Sequence, residues 1–150
     1  MVKANTNFKG GNMPYNILIV DDSQVIRSVI ARTIDLAGVP IGEMLYAQNG
    51  ATALDLLSRN WVDLVLADIN MPVMDGVTMI EKMHEDEMMS GVPVVVISTE
   101  GSEKKIEKLR SSGVKAFVKK PFMPETIRGV IRDVLGEWQS EDTDVSDDSF

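Results

Sequence analysis

Leu64-Val65-Leu66-Ala67-Asp68 is an unbroken apolar run closed by a carboxylate. A strand covered on both faces reads this way, with no polar alternation, and such strands occupy the middle of parallel sheets. Three further runs repeat the pattern: Ile17 to Val20 is followed by Asp21-Asp22, Val94 to Ile97 by Ser98, and Phe117 to Lys119 by Lys120. Parallel strands of one sheet would bring all of these polar residues to one edge. In open α/β sheets that carboxyl edge is where ligands bind, so three carboxylates, a hydroxyl and an ammonium would share one pocket.

The segments between the runs are helical in period, and the alternation of the two patterns is that of stacked βαβ units. Ser23 to Ala37 places Val25, Ile26, Val29, Ile30 and Ile34 at helical spacing and stops at Gly38, a residue suited to a helix C-terminus. Met44 to Ala47 reads as a weak second strand, and Ala51 to Leu57, after the turn-like Asn49-Gly50, as a second helix. A third helix is expected over Val77 to Met83, a fourth from a Ser102 cap to Ser112, a fifth strand over Ala116 to Lys119, and a last helix from Pro124 to about Trp138. The pattern gives an α/β fold with a five-stranded parallel sheet. Residues 1–14 read as a flexible leader, 15–138 as the folded unit, and 139–150 as an acidic disordered tail.

A chain of 150 residues, 44% hydrophobic, is sized for one domain plus ends. No run approaches the roughly 18 apolar residues that a membrane span needs, and the start lacks a signal peptide's apolar stretch. These features favour a cytoplasmic protein with no membrane partner. There are no cysteines, so disulfides, thiolate metal sites and a cysteine nucleophile are excluded. The net charge of -8 is mostly local, because Glu137, Glu141, Asp142, Asp144, Asp147 and Asp148 lie together near the C-terminus with no Lys or Arg among them. An acidic balance argues against nucleic acid as a direct partner.

Asp68 is the best nucleophile candidate. A carboxylate can attack a phosphoryl group to give an acyl phosphate, but an anionic phosphate will not approach three bare carboxylates. A divalent cation resolves the repulsion. Mg²⁺ prefers one or two carboxylates together with waters and phosphate oxygens, which suits Asp22 and Asp68 as direct ligands with Asp21 acting through water. Lys120 would add a second positive charge and Ser98 a hydroxyl for a phosphoryl oxygen, and phosphoryl transfer needs mainly such positioning and neutralisation.

Ile-Val-Asp-Asp-Ser at 19–23, Asp68-Ile-Asn-Met-Pro-Val-Met-Asp-Gly76, Ile97-Ser-Thr-Glu100 and Val-Lys-Lys-Pro-Phe at 118–122 together resemble the receiver domain of bacterial two-component response regulators, most closely its single-domain, CheY-like chemotaxis members. The resemblance covers residues 16–138. It implies a flavodoxin-like (βα)5 fold with strand order 2-1-3-4-5, and it implies Asp68 as phosphoacceptor, Asp21 and Asp22 as the acidic pair holding Mg²⁺, and the backbone carbonyl of Asn70 as a further ligand. It also implies that Lys120 pairs with the phosphoryl group and precedes a cis bond to Pro121, with Lys119 the wrong choice. Ser98 and Phe117 would form a switch pair, although Phe117 has no hydroxyl for a partner that requires a phenol. The implied function is a single-domain regulator, expected to be a monomer, that takes phosphate from a sensor histidine kinase and signals to an output protein. The output protein would meet the surface of the fourth helix, fifth strand and fifth helix.

Simpler and rival readings stand beside this one. An adjacent Asp pair is ordinarily a helix start, and Asp68, Asn70 and Asp75 alone would be a polar turn; only the coincidence at four strand ends reverses both. The methionines at 71, 74, 79, 83, 88 and 89 read as core and loop filler, and His84 as a solvated residue. The basic set Lys104, Lys105, Lys108, Arg110, Lys115 and Lys119 reads first as a solvated face. A phosphorelay intermediate serving a histidine phosphotransferase is the alternative within the family. An aspartate-nucleophile phosphatase would need a second Asp where Asn70 stands, and a flavin carrier would be repelled by Asp21-Asp22.

Overall fold

The computed structural model describes residues 14–99, 103–136 and 138. The leader before Pro14, the Ser102 cap, Glu100 and the tail from 139 onward lie outside the described residues. Ten elements alternate: β1 (Tyr15–Val20), α1 (Gln24–Leu36), β2 (Ile41–Ala47), α2 (Gly50–Arg59), β3 (Leu64–Ala67), α3 (Gly76–Glu85), β4 (Val94–Ser98), α4 (Glu103–Ser111), β5 (Ala116–Lys119) and α5 (Pro124–Leu135). All pairings are parallel and the sheet order is β2-β1-β3-β4-β5. This is the flavodoxin-like order that the family resemblance implies.

β3 is central and buried along its whole length. Alternate strand residues feed two apolar layers. Ile17, Ile19, Leu64, Leu66, Val95 and Ile97 pack with Ile30 and Ile34 of α1 and Ile127 and Ile131 of α5. Leu18, Val20, Val65, Ala67 and Val96 pack on the opposite face with Ala53 and Leu57 of α2, Met79, Ile80 and Met83 of α3, and Leu109 of α4. Met79 and Met83 are thus core and Met88 is exposed, the mixture of core and loop filler expected of the methionines. Among the described residues no helix is long and apolar enough to cross a membrane.

Several boundaries differ by a few residues from the sequence reading, and three of the differences have a clear cause. β2 starts at Ile41, three residues before Met44, because it is an edge strand whose residues are mostly exposed or half-buried and so carries no continuous apolar run. Asn49-Gly50 is not a free turn: Asn49 caps α2 by accepting the Thr52 amide at 2.9 Å, and Gly50 is the first helical residue. α5 stops at Leu135, short of Trp138, because Gly136 takes φ 93° and turns the chain. Trp138 then folds back into the core, donating its indole N–H to the Gly38 carbonyl at 3.2 Å and meeting Tyr15 edge to face at 6.4 Å.

Candidate functional site

Register builds the site. Val20 of β1 pairs with Ala67 of β3, and the next residue on each strand is a carboxylate. The Asp68 amide donates to the Val20 carbonyl at 2.9 Å, which holds the ends of the two strands level. On the other side Ser98 pairs with Lys119, and the Lys120 amide donates to the Ser98 carbonyl at 2.9 Å. The Lys120–Pro121 bond is cis. The carboxyl ends of β1, β3, β4 and β5 therefore meet at one edge.

One carboxylate oxygen from each of Asp21, Asp22 and Asp68 lies within 4.8 Å of the other two. Lys120 reaches into this cluster, its Nζ 3.3 Å from Asp21 Oδ2 and 3.9 Å from Asp68 Oδ2. Lys119, one residue earlier, is exposed. Asp21 is buried and fully engaged: Oδ1 accepts the Ser23 amide at 2.9 Å and Oδ2 faces Lys120. Ser23 in turn caps α1, accepting the Ile26 amide at 3.2 Å, so the strand end and the helix start are tied in one short turn.

Asp68 is more open, its side chain 15% exposed, and Oδ1 accepts the Ile69 amide at 2.7 Å. Its pKa is raised above the ordinary carboxylate value. Burial is the largest cause and the Asp21 charge adds to it, while the Lys120 ammonium and the amides of Ile69 and Asn70 pull the other way. Three converging carboxylates, which one ammonium neutralises only in part, favour a bound cation. The acidic cluster, made only of hard oxygen donors, fits a divalent metal such as Mg²⁺.

Ser98 is buried at the end of β4. Phe117 is half-buried and packs against the apolar layer on the α2–α4 side of the sheet. Asn70 is exposed in the loop two residues beyond Asp68. The structure thus brings Asp21, Asp22, Asp68 and Lys120 into one cluster and places Ser98 on the same edge.

Sequence reasoning missed two residues that hold this site. Arg27 Nη1 donates to the main-chain carbonyl of Asp21 at 2.7 Å; its only signal was a cation at the wrong end of a helix. Gly76 follows the α3 cap Asp75, which accepts the Thr78 amide at 2.9 Å. A Cβ on Gly76 would stand 2.6 Å from the Asp68 carbonyl oxygen. The pair Asp75-Gly76 is therefore more than a turn: glycine is needed where α3 presses on the main chain of the site.

Comparison with known proteins gives one consistent picture. The family described as the response regulator receiver domain matches residues 17–132. The chain is 32% identical over 126 residues to a chemotaxis protein CheY homolog of Campylobacter jejuni, covering 83% of this chain and 95% of that one. Among solved structures it is similar to the chemotaxis response regulator CheY4 of Vibrio cholerae, with a TM-score of 0.72 at 30% identity over 81% of this chain and 98% of that one. It also shares its fold with the receiver domain of a Pseudomonas aeruginosa sensor histidine kinase, with a TM-score of 0.73 at 22% identity over 83% of this chain and 99% of that one.

Proposed function

The chain belongs to the response regulator receiver family and is CheY-like, and from that premise we propose that Asp68 accepts a phosphoryl group from a sensor histidine kinase in the presence of Mg²⁺. The observation that carries this reading is the convergence of Asp21, Asp22 and Asp68 within 4.8 Å beside the Lys120 ammonium. An Asp68 carboxylate oxygen forms the new P–O bond as the P–N bond of the kinase phosphohistidine breaks, leaving the histidine neutral after protonation. Asp22, Asp68 and the Asn70 carbonyl would hold Mg²⁺, with Asp21 acting through water; the ion supplies the positive charge that lets phosphate approach an acidic pocket. The Pseudomonas receiver domain was solved with a magnesium ion coordinated in its active site cleft, which supports that choice of metal.

Lys120 orients and neutralises a phosphoryl oxygen. Ser98 offers its hydroxyl to another oxygen in the phosphorylated state alone. A group can shift a conformational equilibrium only through such a difference between states. Phe117 lies on β5, one strand over, and moves inward in response. The readout is protein binding at the surface of α4, β5 and α5, in chemotaxis or motility signalling, with the domain acting as a monomer.

The test is labelling by acetyl phosphate, followed by intact mass. Wild-type protein should gain one phosphoryl group with Mg²⁺ and none in EDTA, and Asp68→Asn should gain none under either condition. Labelling in EDTA, or on the Asn variant, overturns the assignment.

A further inference from the structure

Arg27 occupies the first turn of α1, where the helix macrodipole disfavours a cation, and that turn contains no acidic residue to offset it. Choices that run against local preference mark functional or strained positions. The guanidinium folds back past the helix start, and its bond to the Asp21 carbonyl at 2.7 Å is short and charge-assisted. Each group of Asp21 is thereby held: the amide by the Ala47 carbonyl at 3.0 Å, the carboxylate by Ser23 and Lys120, and the carbonyl by Arg27.

Asp22 differs. Its side chain is exposed and makes no hydrogen bond or ion pair among the described residues, so its carboxylate is placed by the peptide that joins Asp21 to Asp22. The carbonyl of that peptide is the one Arg27 holds. We propose that Arg27 is a positioning residue of the acidic pocket, fixing the Asp21–Asp22 peptide and thereby aiming the Asp22 carboxylate at a bound divalent cation. The metal half of this statement rests on the function proposed above; the clamp itself does not.

The guanidinium has a second effect of opposite sign, since its charge repels a nearby cation. Three carboxylates and solvent at an open edge weaken that repulsion, while the bond to the ligand-bearing peptide is direct, so the clamp dominates. The two effects predict opposite outcomes for Arg27→Ala.

The experiment compares wild type, Arg27→Ala and Arg27→Lys by Mg²⁺ titration with amide NMR detection, with urea midpoints recorded for each. Arg27→Ala should weaken Mg²⁺ binding about tenfold, the lower end of what losing an outer-shell partner of a metal ligand costs. Arg27→Lys, which can still place one donor on the carbonyl, should recover most of it and keeps the test open if the Ala variant fails to fold. Unchanged or tighter binding by Arg27→Ala overturns the proposal. In metal-free protein the Asp22 and Ser23 amide resonances should shift or broaden in the Ala variant and stay close to wild type in the Lys variant. Unperturbed amides in the Ala variant also overturn the clamp. A wild-type protein that binds no Mg²⁺ would instead sink the metal reading, and the metal-free amides would still decide the role of Arg27.

Discussion

Gly76→Ala and Gly129→Ala add the same methyl group to two helices and should change stability in opposite directions. At Gly76 the new Cβ would lie 2.6 Å from the Asp68 carbonyl oxygen and 3.0 Å from Ile69 Cα. An ordinary carbon–oxygen contact is about 3.4 Å, so roughly 0.8 Å must be found by moving main chain. The Gly76 amide also donates to the Ile69 carbonyl at 2.8 Å, which ties the start of α3 to the segment it would have to leave. Overpacking of this kind costs about 1–3 kcal/mol, against a gain of about 0.4–1 kcal/mol from a less flexible unfolded chain. The net loss is about 1–2 kcal/mol, or about 4–8 °C in Tm for a domain of this size. Gly129 lies inside α5 with nothing within 4 Å of its Cβ position, so Ala there should add about 0.5–1 kcal/mol. Urea unfolding followed by far-UV circular dichroism gives both values by linear extrapolation. A Gly76→Ala protein as stable as wild type would refute the argument that α3 presses on the backbone of Asp68.

Lys120→Met should raise the Asp68 pKa further, since the ammonium is the chief influence lowering it; ¹³C titration of the carboxylate reads this directly, and a fall would contradict the assigned geometry. The pKa of Asp68 is raised in the folded state above its ordinary 3.8, so the native chain binds its proton more tightly and loses stability as pH climbs from 3.8 through the folded pKa. Metal-free Asp68→Asn should therefore be more stable than wild type at neutral pH, with the difference vanishing below 3.8, where both side chains are neutral; urea midpoints across that range check it, and a constant difference would rule out titration as the cause. Trp138→Ala should cost about 3 kcal/mol, because it empties a core position and removes the bond to Gly38. A thermal melt within 2 °C of wild type, a shift well under 1 kcal/mol, would show that Trp138 does not stabilise the fold.

β1, β3, β4 and β5 were legible in the sequence because they are short, apolar and each closed by a polar residue. β3 and β5 have the bounds that their runs suggest, and Asp21, Asp68, Ser98 and Lys120 meet at one edge because they share a position relative to a strand end. Those are local signals combined by one rule about parallel sheets. What escaped notice depends on contacts between distant parts of the chain. Nothing local in Asp75-Gly76 signals that α3 presses on the Asp68 carbonyl, and nothing local at Arg27 signals that its side chain folds back to the Asp21 carbonyl. The length of β2 was hidden by its exposure at the edge, and the end of α5 by the apolar Trp138, which continues the helical pattern by composition while packing after the helix has stopped.

The meeting of Trp138 with Tyr15 bears on how this domain can be handled and joined. Tyr15 opens β1, so the contact lies at the amino edge of the sheet, a full strand length away from Asp21 and Asp68. A fluorophore or surface tether placed at Pro14 or at Trp138 itself is therefore on the side of the sheet opposite the acidic pocket. The same closeness brings the Tyr15 and Trp138 ends of the fold within reach of a short linker, so that new termini could be opened at the exposed segment Asp86-Glu87-Met88 without cutting any strand that carries the carboxylates.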